Sequence, residues 1–186
     1  MQFPALHRRH YENFSPERLS AAAARLFYQR GYGVGLQEIL DAAGIYKATF
    51  YRYYQSKDEL AQEYIQAKRD ELIAVLRSLM LKRPQRTAFF ATWAKLLARG
   101  AEAGDFFGCP FSNLFAQTLH ESPELRAKLS SAIADIISVL SDYLKDERAA
   151  QSVFMLYEGA MTMYNLTGDR TVFVRLNEDL QKLVGS

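Results

Sequence analysis

The chain has 186 residues, of which 49% are apolar and 24% are charged, and its formal net charge is +2. This length allows one ordinary domain, or a small head attached to a larger body, but not two large independent domains. No strictly apolar run exceeds five residues, so we expect neither a transmembrane helix nor a signal peptide, and a cytoplasmic protein without a membrane partner. The single cysteine, Cys109, excludes an internal disulfide and a thiolate-only metal site, and we expect no metal and no cofactor.

The positive charge excess lies entirely in the first third of the chain. Residues 1 to 60 contain eight Lys and Arg against six Asp and Glu, whereas residues 61 to 186 contain fifteen of each. The basic run from His7 to His10 also lies in this third, and it is compatible either with an arm along DNA phosphates or with a solvated tail. A charge excess of this size is only a weak indication of a nucleic acid partner.

Apolar residues recur at intervals of three and four, which predicts an all-α chain. Ser15 and Pro16 mark the start of the first helix, because Ser caps free amides and Pro fits the first helical turn. Ser56 likewise caps a long fourth helix. About nine helices are predicted, with approximate bounds 16–30, 36–43, 46–54, 57 onward, 85–103, 110–121, 123–146, 147–167 and 170–184.

The second and third predicted helices form a helix-turn-helix, joined by Ala43-Gly44-Ile45. In the third helix Phe50 and Tyr54, four residues apart, face inward. The side chains that then point away from the apolar contact are Lys47, Thr49, Arg52 and Tyr53. A basic, hydroxyl-bearing and aromatic face of this kind is typical of a helix that enters the major groove of DNA.

Residues 18 to 60 resemble the TetR family of transcriptional regulators in the order and spacing of several short segments. These are Ala22 to Phe27, Gly31-Tyr32, Glu38-Ile39, Ala43 to Ile45, Lys47 to Tyr51 and Ser56 to Leu60. The resemblance implies an N-terminal three-helix head, residues 1–55, that binds DNA. It also implies a helical body, residues 56–186, that binds a ligand and forms the dimer, with the long fourth helix joining the two. The sequence departs from the family pattern at Val34-Gly35, where a pair of hydroxyl residues is usual, and at Tyr46 and Ala48.

The resemblance implies a set of DNA-contacting residues, namely Tyr46, Lys47, Thr49, Tyr51, Arg52, Tyr53 and Lys57. Lys47 and Lys57 are expected to contact phosphates, and Tyr51 adds a hydroxyl donor. Arg52 can give two parallel donors to guanine, so Arg52 or Thr49 is expected to read the sequence. Because one head covers only a few base pairs, we expect a homodimer on a palindromic operator of double-stranded DNA.

The last two helices are predicted to form the dimer interface. The helix over 147–167 is apolar nearly all round, which indicates burial on two sides. One side would face the body and the other a partner, as in the family, although a monomer core would show the same pattern. The residues predicted for this interface are Phe154, Tyr157, Met161, Tyr164, Phe173, Leu176 and Leu180.

An aromatic-rich stretch with few polar groups lies between the head and these helices. Such a composition is typical of a ligand pocket and also of an ordinary core. The resemblance implies a pocket for a small apolar or aromatic effector, whose binding changes the separation of the two heads and releases DNA. The residues predicted for it are Phe89, Trp93, Phe107, Cys109, Phe111, Asn113, Gln117 and His120.

Three alternatives to an effector-released repressor follow from the same residues. Cys109 precedes Pro110 at a helix start, where amides favour the thiolate, so it could serve a thiol redox or electrophile sensor rather than pack as a small apolar residue. The protein could instead be a helical binding protein that has lost DNA binding, as Val34-Gly35 would allow. An enzyme would need Cys109 with His120, about 16 Å apart along one helix, so we expect no enzymatic activity.

Overall fold

The computed structural model describes residues 15–104, 106–118 and 122–185, without the side chains of Gln117 and Thr118. Over these ranges the chain forms nine α helices and no strand, which confirms the predicted all-α class. The helices are α1 (Pro16–Arg30), α2 (Leu36–Ala43), α3 (Lys47–Phe50), α4 (Lys57–Lys82), α5 (Arg86–Glu102), α6 (Pro110–Thr118), α7 (Pro123–Leu144), α8 (Glu147–Thr167) and α9 (Thr171–Val184). The basic run from His7 to His10 and His120 lie outside the described residues.

The helix starts follow the capping chemistry read from the sequence. The Ser15 hydroxyl accepts a hydrogen bond from the Arg18 amide at 3.3 Å, and the Ser56 hydroxyl accepts one from the Glu59 amide at 3.4 Å. The Asp146 carboxylate caps α8 in the same way, by accepting from the Ala149 amide at 3.0 Å. These bonds satisfy amides that a helix leaves free at its start.

The third helix is shorter than predicted. Regular α geometry covers only Lys47–Phe50, and the chain then continues in tight turns to Tyr53. The Arg52 amide donates to the Thr49 carbonyl at 3.2 Å and the Tyr53 amide to the Phe50 carbonyl at 2.9 Å, both three residues back. Bonds of this shorter period tighten the chain at a helix end, so the outward residues spread over a helix and a turn.

Helices α1, α2 and α3 enclose the core of the head, and the start of α4 packs against this core. Phe27 and Phe50 are fully buried there. The Phe50 ring stacks on the Tyr54 ring, with 5.2 Å between centroids, and the Phe27 ring lies 5.6 Å from the Tyr64 ring on α4. The head core is therefore continuous with the long helix that enters the body.

The body is a bundle in which α4 packs on α7, α7 on α8, α8 on α9 and α9 on α5. Aromatic rings fill its centre: Trp93 stacks on Tyr157 at 5.2 Å and lies 6.2 Å from Phe89, which contacts Phe90 at 4.7 Å. One apolar cluster joins this centre to the head core. None of the described helices is long and apolar enough to span a membrane.

Candidate functional site

The outer face of α3 and of the turn that follows it exposes polar and aromatic side chains together. Lys47 and Arg52 are exposed, and three large aromatic side chains are about half exposed: Tyr46 at 57%, Tyr51 at 52% and Tyr53 at 53%. The Lys47 ammonium lies 6.0 Å from the centroid of the Tyr51 ring. We call these five residues, with the half-buried Thr49, the recognition surface.

The turn before α3 fixes the direction of this surface. Gly44 has a φ of +68°, and the Ile45 amide donates to the Leu40 carbonyl at 2.9 Å. A Cβ at position 44 would lie 3.0 Å from the Arg18 guanidinium, so both backbone conformation and space favour glycine there. Behind the surface, buried Phe50 anchors α3 in the head core. The recognition surface is thus held by a rigid base.

Lys57 differs from its predicted role as a phosphate contact. Its ammonium group donates to the carbonyls of Tyr32 at 2.9 Å and Val34 at 3.3 Å, and it lies 3.8 Å from the centroid of the Tyr32 ring. The side chain is half buried. Lys57 therefore fastens the start of α4 to the loop between α1 and α2, because that loop leaves two carbonyls without helical partners.

The start of α2 lacks the hydroxyl groups that the family pattern places there. Val34 is buried, and the Gly35 amide donates to the Glu38 side chain at 3.1 Å. The Arg30 guanidinium in turn binds Glu38 at 2.5 Å, and this hydrogen bond is the main reason why the pKa of Glu38 is lowered. The Glu38 carboxylate thus accepts the hydrogen bond of the Gly35 amide, which would otherwise be available to a DNA phosphate.

The residues predicted for ligand binding do not form one pocket. Phe89 and Trp93 are buried in the aromatic centre of the body, with no cavity beside them among the cavities described below. Phe107 and Asn113 line a cavity of about 780 Å³, and Phe111 lines a separate cavity of about 270 Å³ on the α6–α7 side. The side chains of Gln117 and His120 lie outside the described residues.

The larger cavity lies where the head meets the body. We call it the junction cavity. Its wall combines the end of α1, the loop before α6, the first turns of α6 and the end of α8; the lining includes Tyr28, Gln29, Arg30, Phe106, Phe107, Ser112, Asn113, Ala116, Thr162, Tyr164, Asn165 and Leu166. Aromatic rings, amides and hydroxyls alternate in this wall. A mixed wall of this kind binds small molecules with both flat apolar and polar parts.

One side chain of the head holds the loop that lines the junction cavity. The Tyr28 hydroxyl on α1 accepts from the Phe107 amide at 3.1 Å and donates to the Gly108 carbonyl at 3.2 Å. The Tyr28 ring meets the Phe107 ring edge-on, with 5.5 Å between centroids. Sequence reasoning missed Tyr28, because a tyrosine within a helix carries no local sign of a distant partner.

Two amide side chains hold the other side of the same loop. Asn113 and Asn165 both donate from Nδ2 to the Phe107 carbonyl, the second at 2.9 Å. Gly108 has a φ of +85°, and a Cβ there would collide with the Asn165 amide, so only glycine lets α8 approach this closely. Head, loop, α6 and α8 are therefore joined through one short segment.

Cys109 is not the thiolate-favouring site that the helix start predicts. Burial raises the pKa of the thiol far above its ordinary value, and the nearby Glu158 carboxylate raises it further. The amides of Ser112 and Phe111 do lower the pKa, as expected at a helix start, but burial is the larger effect. With 2% of its surface exposed, the thiol stays protonated and is shielded from reagents.

A model of the bacterial regulatory proteins of the tetR family matches residues 19–64, which include most of α1, all of α2 and α3, and the start of α4. The matched segment contains the recognition surface and the core that supports it. The body folds as in solved regulators of the same family. Residues 19–64 of the chain thus match the helix-turn-helix head of the TetR family, and the body shares the fold of solved TetR proteins.

Relatives of known sequence extend the likeness beyond the head. The chain is 28% identical to the HTH-type transcriptional repressor NemR of Escherichia coli over 145 residues, which are 75% of this chain and 72% of NemR. It is 25% identical to an uncharacterised HTH-type transcriptional regulator of Lactococcus lactis over 180 residues, which are 89% of this chain and 90% of that protein.

Solved structures of TetR proteins share the fold. A TetR-family transcriptional regulator from Streptomyces coelicolor superposes with a TM-score of 0.81 at 22% identity, covering 91% of this chain and 93% of the other. The reduced form of Escherichia coli NemR gives a TM-score of 0.79 at 20% identity, covering 90% and 96%. At these identities the likeness concerns the fold alone.

The dimer residues predicted from the TetR resemblance need correction. Six of the seven are buried within the protomer: Phe154, Tyr157, Met161, Phe173, Leu176 and Leu180. The seventh, Tyr164, is half buried against Phe106 and Phe173. These side chains therefore pack the last two helices onto their own protomer. The exposed large apolar side chains of these two helices are others, and we call the surface that they form the α8–α9 face: Met155, Met163 and Leu166 on α8 and Val174 on α9. The last two helices have apolar side chains on two sides, and the prediction selects the more apolar side for the dimer. The sequence alone does not show which side packs inside the protomer.

Proposed function

We propose that this TetR protein is a DNA-binding transcriptional repressor that acts as a homodimer and is released from its operator by a small effector. The observation that carries the proposal is the recognition surface, where two cations and three half-exposed tyrosines surround a short helix on a rigid base. Water-exposed aromatic side chains of this size are unusual on a surface without a partner. Residues 1–55 are assigned to DNA binding and residues 56–186 to the ligand-binding and dimer-forming body.

Each residue of the recognition surface has a role that fits its exposure. Exposed Arg52 reads guanine by two parallel donors, and Thr49, lower in the surface, contacts a base edge or methyl group. Lys47 binds phosphate, and the hydroxyls of Tyr46, Tyr51 and Tyr53 add neutral phosphate contacts. Lys57 supports the surface from behind through its two carbonyl contacts.

A second copy of the chain is the occupant that we propose for the α8–α9 face. Met155, Met163, Leu166 and Val174 are each between 48% and 77% exposed there, and Gly159 has open space in front of it, which lets another helix approach closely. A shallow groove of about 230 Å³ lies between α8 and α9 on this face. Pairing of two copies gives two heads, which is what a palindromic operator requires.

Repression rather than activation is supported by the printed name of the Escherichia coli relative, a transcriptional repressor. The body has a cavity large enough for a small effector.

A thiol sensor is the second candidate, since that relative was also solved in a form called reduced. The raised pKa of Cys109 and its burial favour the first candidate, and they also count against catalysis by this thiol.

Selection of bound duplexes from a random DNA pool tests the proposal. We expect a palindrome with two half-sites about one or more helical turns apart. Arg52→Ala should bind that palindrome less selectively, by about 1–3 kcal/mol at one base pair of each half-site. A folded protein that enriches no sequence above background would refute sequence-specific regulation and leave a helical binding protein that has lost DNA binding.

A further inference from the structure

We propose that the junction cavity is the effector site, that it takes a neutral flat aromatic molecule with hydrogen-bond donor groups, and that this molecule controls the heads through Tyr28. This inference rests on the proposed function, because it names the regulation of the same DNA-binding head. The cavity is the only one of those described here whose wall includes residues of α1, the first helix of the head, together with α6 and α8.

The wall offers several hydrogen-bond acceptors, and the guanidinium of Arg30, which also lines the cavity, is bound to Glu38. Asn113 and Asn165 both use Nδ2 on the Phe107 carbonyl, which leaves the two Oδ1 atoms with no partner among the described residues. The Ser112 hydroxyl donates its proton to Glu158 and so offers its lone pairs to the cavity. Because no donor among the described residues reaches these three acceptors, they call for O–H or N–H groups on the occupant.

A buried carboxylate strengthens this preference. Behind Ser112, the Oε1 atom of Glu158 is buried without a nitrogen or oxygen partner among the described residues, and only the weakly donating Cys109 thiol interacts with this carboxylate. A buried acceptor without a strong donor costs free energy. This cost falls when a donor of the ligand reaches the atom, or when a further hydrogen bond to the Ser112 hydroxyl strengthens the bond from Ser112 to Glu158. An anion bound at Ser112 would lie close to the Glu158 carboxylate behind it, so this end of the cavity disfavours an acidic effector.

The apolar part of the wall selects a flat occupant. Tyr28, Phe106, Phe107 and Tyr164 line the cavity, and their rings meet one another edge-on: Tyr28 with Phe107 at 5.5 Å and Phe106 with Tyr164 at 5.4 Å. Rings in this arrangement present faces to an aromatic guest. The volume of about 780 Å³ is within the range of small-molecule sites.

The same residues that would touch the occupant join the head to the body. Tyr28 is bound to the backbone of Phe107 and Gly108, and the Phe107 carbonyl is bound to α6 and α8 through Asn113 and Asn165. An occupant that moves Phe107 therefore moves α1. Because α1 packs on α2 and α4, the recognition surface changes its direction with it.

The ligand class is tested on the free protein by calorimetry, using a naphthalenediol with one hydroxyl on each ring and, as a matched probe, its dimethyl ether. We expect the diol to bind at least about tenfold more tightly than the ether, since two donors are lost in the ether. Ala116→Phe, at an exposed position of the cavity wall, should weaken diol binding by at least about tenfold. Ala127→Phe, exposed on α7 outside the cavity, should not.

Equal binding of diol and ether, no binding of the diol up to millimolar concentration, or indifference to Ala116→Phe would each overturn the site and its ligand class. These measurements use no DNA, so they test the ligand site even if the chain enriches no operator. Failure of the proposed function would appear separately, in the selection of duplexes from the random pool.

Control of the heads is tested on the enriched duplex. We expect saturating diol to weaken DNA binding by about 5-fold to 150-fold. Tyr28→Phe keeps the ring but removes both hydrogen bonds to the loop. In this variant, saturating diol should therefore leave DNA affinity almost unchanged. Tyr143→Phe, which removes a hydroxyl that donates to Pro84 elsewhere in the body, should keep the wild-type factor. A Tyr28→Phe variant with the full wild-type factor would overturn the role of Tyr28.

Discussion

Lys57 and Lys47 allow a direct comparison between a cation that supports the head and a cation that we propose to contact DNA. The Lys57 ammonium binds two backbone carbonyls, at 2.9 and 3.3 Å, and the Tyr32 ring at 3.8 Å. Lys57→Met keeps the length of the side chain but removes all three interactions. Because the site is only half buried, we expect a loss of about 2 kcal/mol of unfolding free energy, which lowers Tm by about 4–8 °C.

The matched variant is Lys47→Met on the recognition surface, where the ammonium has, within the described part of the chain, only the distant contact to the Tyr51 ring at 6.0 Å. We expect less than about 0.5 kcal/mol of lost stability, because surface substitutions of this kind are mild. Its effect should instead appear in the salt dependence of DNA binding, whose logarithmic slope loses about 0.9 for each phosphate contact removed in each head.

The assay combines thermal unfolding with titration of the enriched duplex at several salt concentrations. Lys57→Met should lower Tm and leave the salt slope unchanged, and Lys47→Met should do the reverse. A Lys57→Met protein of wild-type stability with a reduced salt slope would refute the reasoning, and would restore the phosphate contact that the sequence predicted for Lys57.

Three further results are expected. Since burial raises the pKa of Cys109 in the folded protein, the unfolded chain loses this proton first; stability to urea should therefore fall as pH rises above about 8.5, and Cys109→Ala should reduce that fall. Met163→Glu on the α8–α9 face should give a monomer by light scattering at micromolar concentration, whereas Leu81→Glu, at a still more exposed position on α4, should leave the dimer intact. Gly44→Ala should lower unfolding free energy by about 1–2 kcal/mol in urea titration, because φ there is +68°, and an unchanged midpoint would contradict this.

Much of the fold could be read from local signals. Helix bounds at α2 and α8 agree with the predicted ones, because Gly44, Gly168 and Asp146 are strong local stop and start signals. The recognition surface could also be predicted, since inward Phe50 and Tyr54 leave only one face for the polar residues. These features depend on neighbours within a few positions along the chain.

The remaining site residues depend on contacts between distant parts of the chain. Tyr28 meets Gly108 across 80 positions, and Asn165 meets Phe107 across 58, so no periodicity marks them. The sequence predicts a pocket position for Trp93, which the fold buries, because a core and a pocket have the same composition. Cys109 was read from its helix start alone, and only the fold shows that burial outweighs the amides.

Sequence-specific DNA binding by the recognition surface is tested most directly by fluorescence anisotropy, with the enriched palindrome and a scrambled duplex at physiological salt. We expect the palindrome to bind at least about a thousandfold more tightly than the scrambled duplex, and Arg52→Ala to reduce this ratio by tenfold or more. Equal affinity for both duplexes, or a ratio that Arg52→Ala leaves unchanged, would contradict the assignment of this surface to the operator.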